Sequence, residues 1–228
     1  AQKLWTLAES RNREEEVARQ GYIIKEGAAK PLIGLLKEGN EESKWRAARA
    51  LVQLAFGNEE TSTRLSKTKV INTVAKVLQD LDGCTDRIKE TSLQLLNNIA
   101  SNCWTCHEAI IAADILGHVI VILRSITVPD PVKRSAVNLV FSLSFTEEGR
   151  AALMEVDAAA CLVPIIRANK TSINSICATL AVANLVGHRV RAQMLQGCGV
   201  VEKVLKALEH SLNREPMGGY HHSLWKVV

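Results

Sequence analysis

The segment Ala28–Leu36, "AAKPLIGLL", decides the fold because it recurs along the chain at nearly constant intervals. Its counterparts begin at Val70, Ile115, Ala158 and Val200, so the successive spacings are 42, 45, 43 and 42 residues. Two aliphatic columns recur in every copy, and they consist of Leu32, Val74, Val119, Leu162 and Val204 and, four residues on, of Leu36, Leu78, Leu123, Ile166 and Leu208. Repeats of this length are typical of helical solenoids, in which each unit stacks on its neighbours.

A second helical pattern follows each copy, and a third, shorter one separates the units. The second begins with small residues and places large aliphatic residues at intervals of three or four, over residues 47–55, 92–100, 136–144 and 178–186. This is the spacing of a buried helix face. The shorter segments, such as "NEETSTRLSKTK" from Asn58, begin at residues suited to helix capping. The sequence therefore predicts an all-α fold with three helices in each repeat.

The stretch Gly27–Ala55, "GAAKPLIGLLKEGNEESKWRAARALVQLA", resembles the consensus of the armadillo repeat family. It has the glycine-alanine turn, the early proline of the second helix, the acidic loop and the small-residue start of the third helix, in that order. The resemblance implies a right-handed α-solenoid over the whole chain. Gly27 is kept as Gly199 but replaced by Lys69, Asp114 and Asp157, so we expect less regular turns at those three positions.

The repeats predict a single domain, 1–228, that is divided into units of about 42 to 45 residues. The units are a partial N-terminal one at 1–26, repeats at 27–69, 70–114, 115–157 and 158–198, and a partial or capping one at 199–228. Because the chain begins at Ala1 rather than Met, we expect a fragment whose native start precedes it.

The resemblance also implies a peptide-binding groove lined by the third helices. The family places an asparagine late in each third helix, where its side chain bonds the backbone of a bound peptide; this column reads Gln53, Asn98, Ser142 and Asn184, with Lys226 in the incomplete unit. One turn earlier the column reads Arg49, Gln94, Asn138 and Leu180, and one turn earlier again it reads Trp45, Glu90, Arg134 and Ile176. We predict that the groove binds partners through Trp45, Arg49, Gln53, Glu90, Gln94, Asn98, Arg134, Asn138, Ser142 and Asn184.

These columns and the resemblance together predict a non-catalytic adaptor that binds protein partners. Import receptors of the family carry tryptophan in the column of Arg49, and its absence argues against the usual recognition of basic nuclear signals. The chain also resembles small members of the family that consist almost wholly of repeats. This resemblance implies a lipid-anchored adaptor for organelle positioning, with a motor protein or another scaffold as partner. A regulatory or transport module of a larger protein stays open as the alternative.

Composition bounds the class of protein. The chain has 228 residues, of which 47% are hydrophobic and 4% aromatic, so it can bury a large aliphatic core. No apolar run is long enough to span a bilayer, which predicts a soluble protein, with a membrane reached only through a lipid anchor upstream of Ala1. A net charge of +4 does not argue for nucleic acid without a clustered patch. The six cysteines fit reduced, buried thiols, which predicts a cytoplasmic location, peripheral on an organelle membrane if the anchor exists.

The stretch Cys103–His107, "CWTCH", matches the haem-attachment and redox pattern C-x-x-C-H. In register it aligns with "NEETS" from Asn58 and "TEEGR" from Thr146, so repeat geometry explains its position and we favour scaffold over a metal or redox site. An exposed Cys103 at a helix start would react with thiol reagents faster than Cys161 or Cys177.

Other motifs fail on spacing. Ile111 stands where H-E-x-x-H needs its second histidine, and the positions around Asp80–Gly83 lack the carboxylates of a calcium loop. No phosphate loop or nucleophile elbow is present. We predict no cofactor, no metal and no enzymatic activity.

Overall fold

The chain folds as an all-α solenoid in a computed structural model. The structure describes residues 13–80, 84–168 and 173–186. In chain order their helices are α1 Arg13–Lys25, α2 Ala29–Glu38, α3 Glu41–Ala55, α4 Glu59–Ser66, α5 Val70–Gln79, α6 Asp86–Asn102, α7 His107–Ala112, α8 Leu116–Arg124, α9 Asp130–Leu143, α10 Glu147–Glu155, α11 Ala158–Ala168 and α12 Ile173–Leu185. A 3-10 turn, Trp104–Cys106, leads into α7.

The helices form three stacks that follow the sequence repeat. The third helices α3, α6, α9 and α12 pack successively against one another, and each also packs against the second helix of its own unit, which is α2, α5, α8 or α11. The short first helices α1, α4, α7 and α10 join one unit to the next. The predicted all-α solenoid is therefore confirmed. The helices fall within the predicted units, whose boundaries stay a prediction.

The core is built from the two aliphatic columns of the second helices and the matching face of the third helices. Leu32, Leu36, Val74, Leu78, Val119, Leu123 and Leu162 are buried, and Ile166 is half-buried. Small residues of the third helices, such as Ala47, Ala50 and Ala136, are fully buried. Their short side chains let neighbouring helices approach closely, as the sequence pattern predicts. Val204, Leu208 and Lys226 lie outside the described residues.

The turns between first and second helices correct one expectation. Asp114 and Asp157 adopt positive φ angles of 54° and 52°, in the left-handed region that Gly27 also occupies at 81°. Aspartate tolerates this conformation better than most residues do, so these two turns repeat the geometry of the Gly27 turn rather than departing from it. Lys69, with a φ of −80°, is the position where the geometry changes. Gly199 lies outside the described residues.

Side-chain caps fix several helix starts. Asn40, Asn58 and Thr146 each accept a hydrogen bond from a backbone N–H three residues on, at the starts of α3, α4 and α10. Each cap satisfies a donor that the helix itself leaves unpaired. Within the described residues no single helix is long and apolar enough to cross a bilayer; the stretches 104–112 and 116–124 pass that test only as a pair, bent by 83°.

Candidate functional site

The ten residues predicted to line the groove all lie on the third helices, with three each on α3, α6 and α9 and Asn184 on α12. Nine are half-buried, whereas Ser142 is buried. The structure thus brings them onto the helices of one stack. Their role in binding stays a prediction, and their hydrogen bonds divide them into two groups.

Residues of the asparagine column join successive repeats. Asn98 donates from Nδ2 to the Val52 carbonyl oxygen at 3.1 Å, and Ser142 donates to Asn97 Oδ1 at 2.8 Å. Asn184 donates to Ser144 Oγ at 2.9 Å. Each bond crosses from one unit to the one before it, so the column serves as an internal ladder. The Asn98 amide has two N–H donors and an acceptor oxygen, and it keeps hydrogen-bonding capacity beyond its bond to Val52.

Gln53 belongs to a denser network at the end of α3. It donates from Nε2 to Glu16 Oε1 at 2.9 Å, and Gln20 donates to its carbonyl oxygen at 2.8 Å. The Arg13 guanidinium pairs with Glu16 at 2.7 Å. Since Glu16 and Gln20 are buried, this network fixes α1 on the end of α3.

All four terminal carbonyls of α3 are capped by side chains. A helix leaves its last four carbonyls without partners. Here Val52 accepts from Asn98, Gln53 from Gln20, Leu54 from Thr61, and Ala55 from both Ser62 and Asn102. The predicted groove positions 53 and 98 therefore have a structural role in addition to any contact with a partner.

The first three turns of α3 and the first turn of α6 carry the second group. The guanidinium groups of Arg49 and Arg87 lie over the Trp45 ring at 4.9 and 4.8 Å from its centroid. Arg87 also bonds Glu41 at 3.0 Å and Glu42 at 2.9 Å, so it links α6 to α3. A hydrogen bond from Arg46, and to a smaller extent one from Arg87, holds the pKa of Glu42 below its ordinary value. This aromatic and charged cluster is half-exposed.

The remaining predicted positions continue this surface. Gln94 donates to Glu90 Oε1 at 3.1 Å within α6. Arg134 and Asn138 lie on α9, and the Asn138 Oδ1 atom is buried with no hydrogen-bond partner among the described residues. Leu180, which is half-buried, and Ile176, which is buried, occupy the corresponding positions of α12. These two columns are therefore polar only as far as α9, and Asn184 is the polar groove position of α12.

Sequence reasoning missed Arg87, Asn97 and Gln20. Arg87 stands three residues before Glu90, so helical spacing with Glu90, Gln94 and Asn98 could have placed it on the same face. Asn97 and Gln20 bond partners in other helices, and no local spacing indicates such contacts.

The "CWTCH" stretch forms the corner between α6 and α7, and the structure corrects one expectation about it. Cys103 and Cys106 are joined by a disulfide with Cα atoms 5.4 Å apart, and both are buried. The prediction of reduced thiols is therefore wrong for this pair. The predicted fast reaction of Cys103 fails with it, since the sulfur is neither free nor exposed.

His107 has a structural role in the same corner. It is 1% exposed, and its Nε2 lies 2.9 Å from the Ala100 carbonyl oxygen while its Nδ1 lies 2.9 Å from Thr146 Oγ1. A carbonyl oxygen can only accept, so Nε2 carries the proton that is donated to Ala100. His107 thus ties the end of α6 to the cap of α10.

The free cysteines Cys84, Cys161 and Cys177 are buried. Burial raises the pKa of Cys84 to about 11 and that of Cys177 to about 12. These two thiols are therefore poor nucleophiles near neutral pH. Among the residues that the structure describes, no three His, Cys, Asp or Glu side chains form a group that could hold a metal ion.

Comparisons with known proteins place the fold. No protein-family model and no curated protein sequence matches the chain. Among solved structures it is similar to a computationally designed armadillo repeat protein for modular peptide recognition, with 24% identity and a TM-score of 0.72 over 90% of this chain and 82% of that one. It is also similar to a designed armadillo repeat protein in complex with the peptide (KR)4, with 20% identity and a TM-score of 0.68 over 97% and 94%. The helix order, the stacking and these likenesses give the chain an armadillo-like fold.

Proposed function

We propose that the chain is a non-catalytic scaffold that binds an extended segment of a protein partner along its third helices. The cluster of Trp45, Arg49 and Arg87 carries the proposal, because it places an aromatic ring and two guanidinium groups on a half-exposed surface. Tryptophan and arginine are among the residues most enriched at the energetic centres of protein interfaces. The likeness to proteins designed for peptide recognition supports the same function.

The segment would run along α3, α6 and α9. Trp45 would supply apolar contact, while Glu90, Gln94 and the remaining capacity of Asn98 would bond the segment's backbone. Arg49 and Arg134 add positive charge, and guanidinium groups favour carboxylates in the partner. Because these two columns hold Leu180 and the buried Ile176 on α12, polar contact with α12 would be limited to Asn184.

A peptide library tests this proposal. Peptides would be selected from a random library on the wild-type chain, and their affinity would be measured for Arg49→Ala and for the double variant Glu90→Gln, Gln94→Ala. We expect a loss of about tenfold or more, as for central interface residues. The double variant Asn72→Ala, Gln79→Ala changes two exposed residues of a second helix and is the matched control. Selected peptides that bind all variants equally would place the binding face elsewhere.

Asn98 and Gln53 are left unchanged in these variants. Both bond carbonyls or carboxylates of neighbouring repeats, so their removal would lower stability and affinity together. Substituting only the half-exposed side chains separates a loss of contact from a loss of fold.

We also propose, as the finer role, a membrane-tethered adaptor for organelle positioning with a motor protein or scaffold as partner, like the small "armadillo repeats only" adaptors of apicomplexan parasites. The nearly pure repeat content supports it. An intact mass of the native protein tests it, since the absence of an added acyl chain would contradict the anchor. The transport-module alternative predicts selected peptides rich in lysine, whereas the adaptor does not.

A further inference from the structure

The charges of the solenoid are segregated by helix stack. The second helices α2, α5, α8 and α11 together carry five Lys or Arg and one Glu, a net charge of +4. That equals the net charge of the whole chain, so the rest of the chain is neutral overall. The first helices α1, α4, α7 and α10 carry a net charge of −4. The modest net charge of the whole chain therefore includes a cluster of positive charge on the second helices.

The outward face of the second helices has no acidic residue. It comprises positions 30, 34 and 37 of α2 and the positions in register with them on α5, α8 and α11, and every one of these is exposed. The basic residues among them are Lys30, Lys37, Lys76, Arg124 and Arg167. The acidic residues nearby, such as Glu26, Glu38, Asp80 and Asp114, lie at the helix ends.

Most of these basic side chains form no ion pair with another described residue. Among the described residues Lys30, Lys76 and Arg167 form no ion pair, whereas Lys37 pairs with Glu38 at 2.9 Å. Arg124 donates to Cys161 Sγ at 3.1 Å, which is not a charge pair. The other ion pairs of the described part of the chain all involve first or third helices.

Exposed aliphatic residues accompany the charges at α8. Val121 belongs to the outward face and is 63% exposed, and Ile126, in the loop that follows α8, is 94% exposed. Helices α2 and α5 pack side by side, as do α8 and α11. Packed helices lie roughly 8–10 Å apart, so one basic residue on each of four helices extends the charge over roughly 30 Å or more. This is a broad surface rather than a pocket for one anion.

We propose that the outward face of the second helices docks on an anionic membrane surface. Lipid headgroups offer many negative charges in one plane, which matches cations distributed over four helices. Ile126 and Val121 would enter the boundary between headgroups and acyl chains. The twelve outward positions contain no aromatic residue on which bases could stack, so the observations favour a membrane over nucleic acid. The third helices remain available for the protein partner, so the inference does not depend on the proposed function.

Vesicle sedimentation with the full 228-residue chain tests the inference. The chain should bind vesicles that contain phosphatidylserine at roughly a third of the lipid, and not vesicles of phosphatidylcholine alone. Each Lys or Arg near such a surface contributes about fivefold to partitioning at low salt. The affinity of the triple variant Lys30→Gln, Lys76→Gln, Arg167→Gln for these vesicles should therefore fall about tenfold or more. Added salt should also lower the affinity of the wild type.

A variant of equal charge is the matched control. The triple variant Arg19→Gln, Arg64→Gln, Lys133→Gln removes three cations from first and third helices. Its affinity for the vesicles should fall about threefold or less, because these side chains do not face the lipid. Equal losses in the two triple variants would overturn the inference in favour of net charge alone. Failure of the wild type to prefer phosphatidylserine would overturn it outright.

Two further measurements keep the test independent of folding. The exposed Ile126→Ser should reduce binding about threefold or more, because it removes apolar contact without touching the core. Hydrogen exchange of the wild type on phosphatidylserine vesicles should slow in α2, α5 and α8 and stay unchanged in α4 and α10. The proposal would be overturned if the chain bound duplex DNA or RNA more tightly than the vesicles and Ile126→Ser left that affinity unchanged. The face would then be assigned to nucleic acid.

Discussion

The corner between α3 and α4 and the later corners in register with it have the same role but use different chemistry. At the first, Thr61 and Ser62 donate to the carbonyl oxygens of Leu54 and Ala55 at 2.6 and 3.2 Å. At the second, His107 donates to Ala100. At the third, Arg150 donates to Ser144 and Phe145 at 3.3 and 3.1 Å. The fold requires a donor at this place, and it does not prescribe which residue supplies it.

The residues that start the following helix differ in the same way. Asn58 and Thr146 cap α4 and α10 with side-chain oxygens, whereas Cys103 stands in their register position and is bound to Cys106. The third corner is also one residue shorter, since Leu143 and Thr146 are three apart while Leu54 and Asn58 are four apart. The shorter link brings α10 close to the end of α9. This difference explains why a glycine stands at position 149.

The largest expected effect is at Gly149. A Cβ atom built there overlaps the Leu143 carbonyl oxygen, and backbone cannot move aside as a flexible side chain can. We expect Gly149→Ala to lower the free energy of unfolding by about 3 kcal/mol or more, as measured by urea denaturation. Gly34→Ala is the control: a Cβ there meets nothing within 4 Å, and alanine should raise the free energy of unfolding by about 1 kcal/mol. Equal effects in the two variants would contradict the close approach.

His107→Ala should be the next most destabilising change. It leaves the buried Ala100 carbonyl without its donor and opens a cavity, so we expect a loss of about 2 to 3 kcal/mol in the free energy of unfolding. Ser62→Ala, in register at the first corner, should cost only about 1 kcal/mol, since Asn102 still donates to Ala55. His107→Gln should recover part of the loss, because its amide can donate in place of the ring. A loss in His107→Ala no larger than in Ser62→Ala would show that the histidine is dispensable.

The sequence predicts the repeat but not these contacts. The periods of 42 to 45 residues predict the three stacks, and the aliphatic columns such as Leu32 and Leu36 predict the core, because both depend on local helical spacing. The bond from Asn98 to the Val52 carbonyl depends on the distance between two repeats in the folded chain, which no local pattern encodes. The C-x-x-C spacing of Cys103 and Cys106 does indicate a pair, but the alignment with capping segments of other repeats favours a scaffold role over it. The left-handed turns at Asp114 and Asp157 could have been predicted, since aspartate stands in register with Gly27. The basic face became visible only once the outward positions of four helices were known.

Reduction should distinguish the two capping chemistries at the first and second corners. The disulfide closes a very short loop, so reduction of the wild type should lower the free energy of unfolding by about 2 kcal/mol or less. The double variant Cys103→Asn, Cys106→Thr carries the residues of the first corner, and an asparagine cap contributes about 1 kcal/mol. It should therefore be nearly as stable as the oxidised wild type and unchanged by reductant. A reductant effect in the double variant equal to that in the wild type would place the sensitive element outside this corner.

The smallest expected effects distinguish the turns that precede the second helices. Asp114→Gly and Asp157→Gly replace a residue held at positive φ by one that adopts it freely, so each should raise the free energy of unfolding by up to about 1 kcal/mol. Lys69→Gly should lower it by about 0.5 to 1 kcal/mol, because Lys69 has a φ of −80° and glycine only adds freedom to the unfolded chain. Opposite signs in one series of urea denaturations would show that two of the three substituted turns keep the backbone of the Gly27 turn. A gain in Lys69→Gly equal to that in Asp114→Gly would instead mean that all three share one conformation in solution.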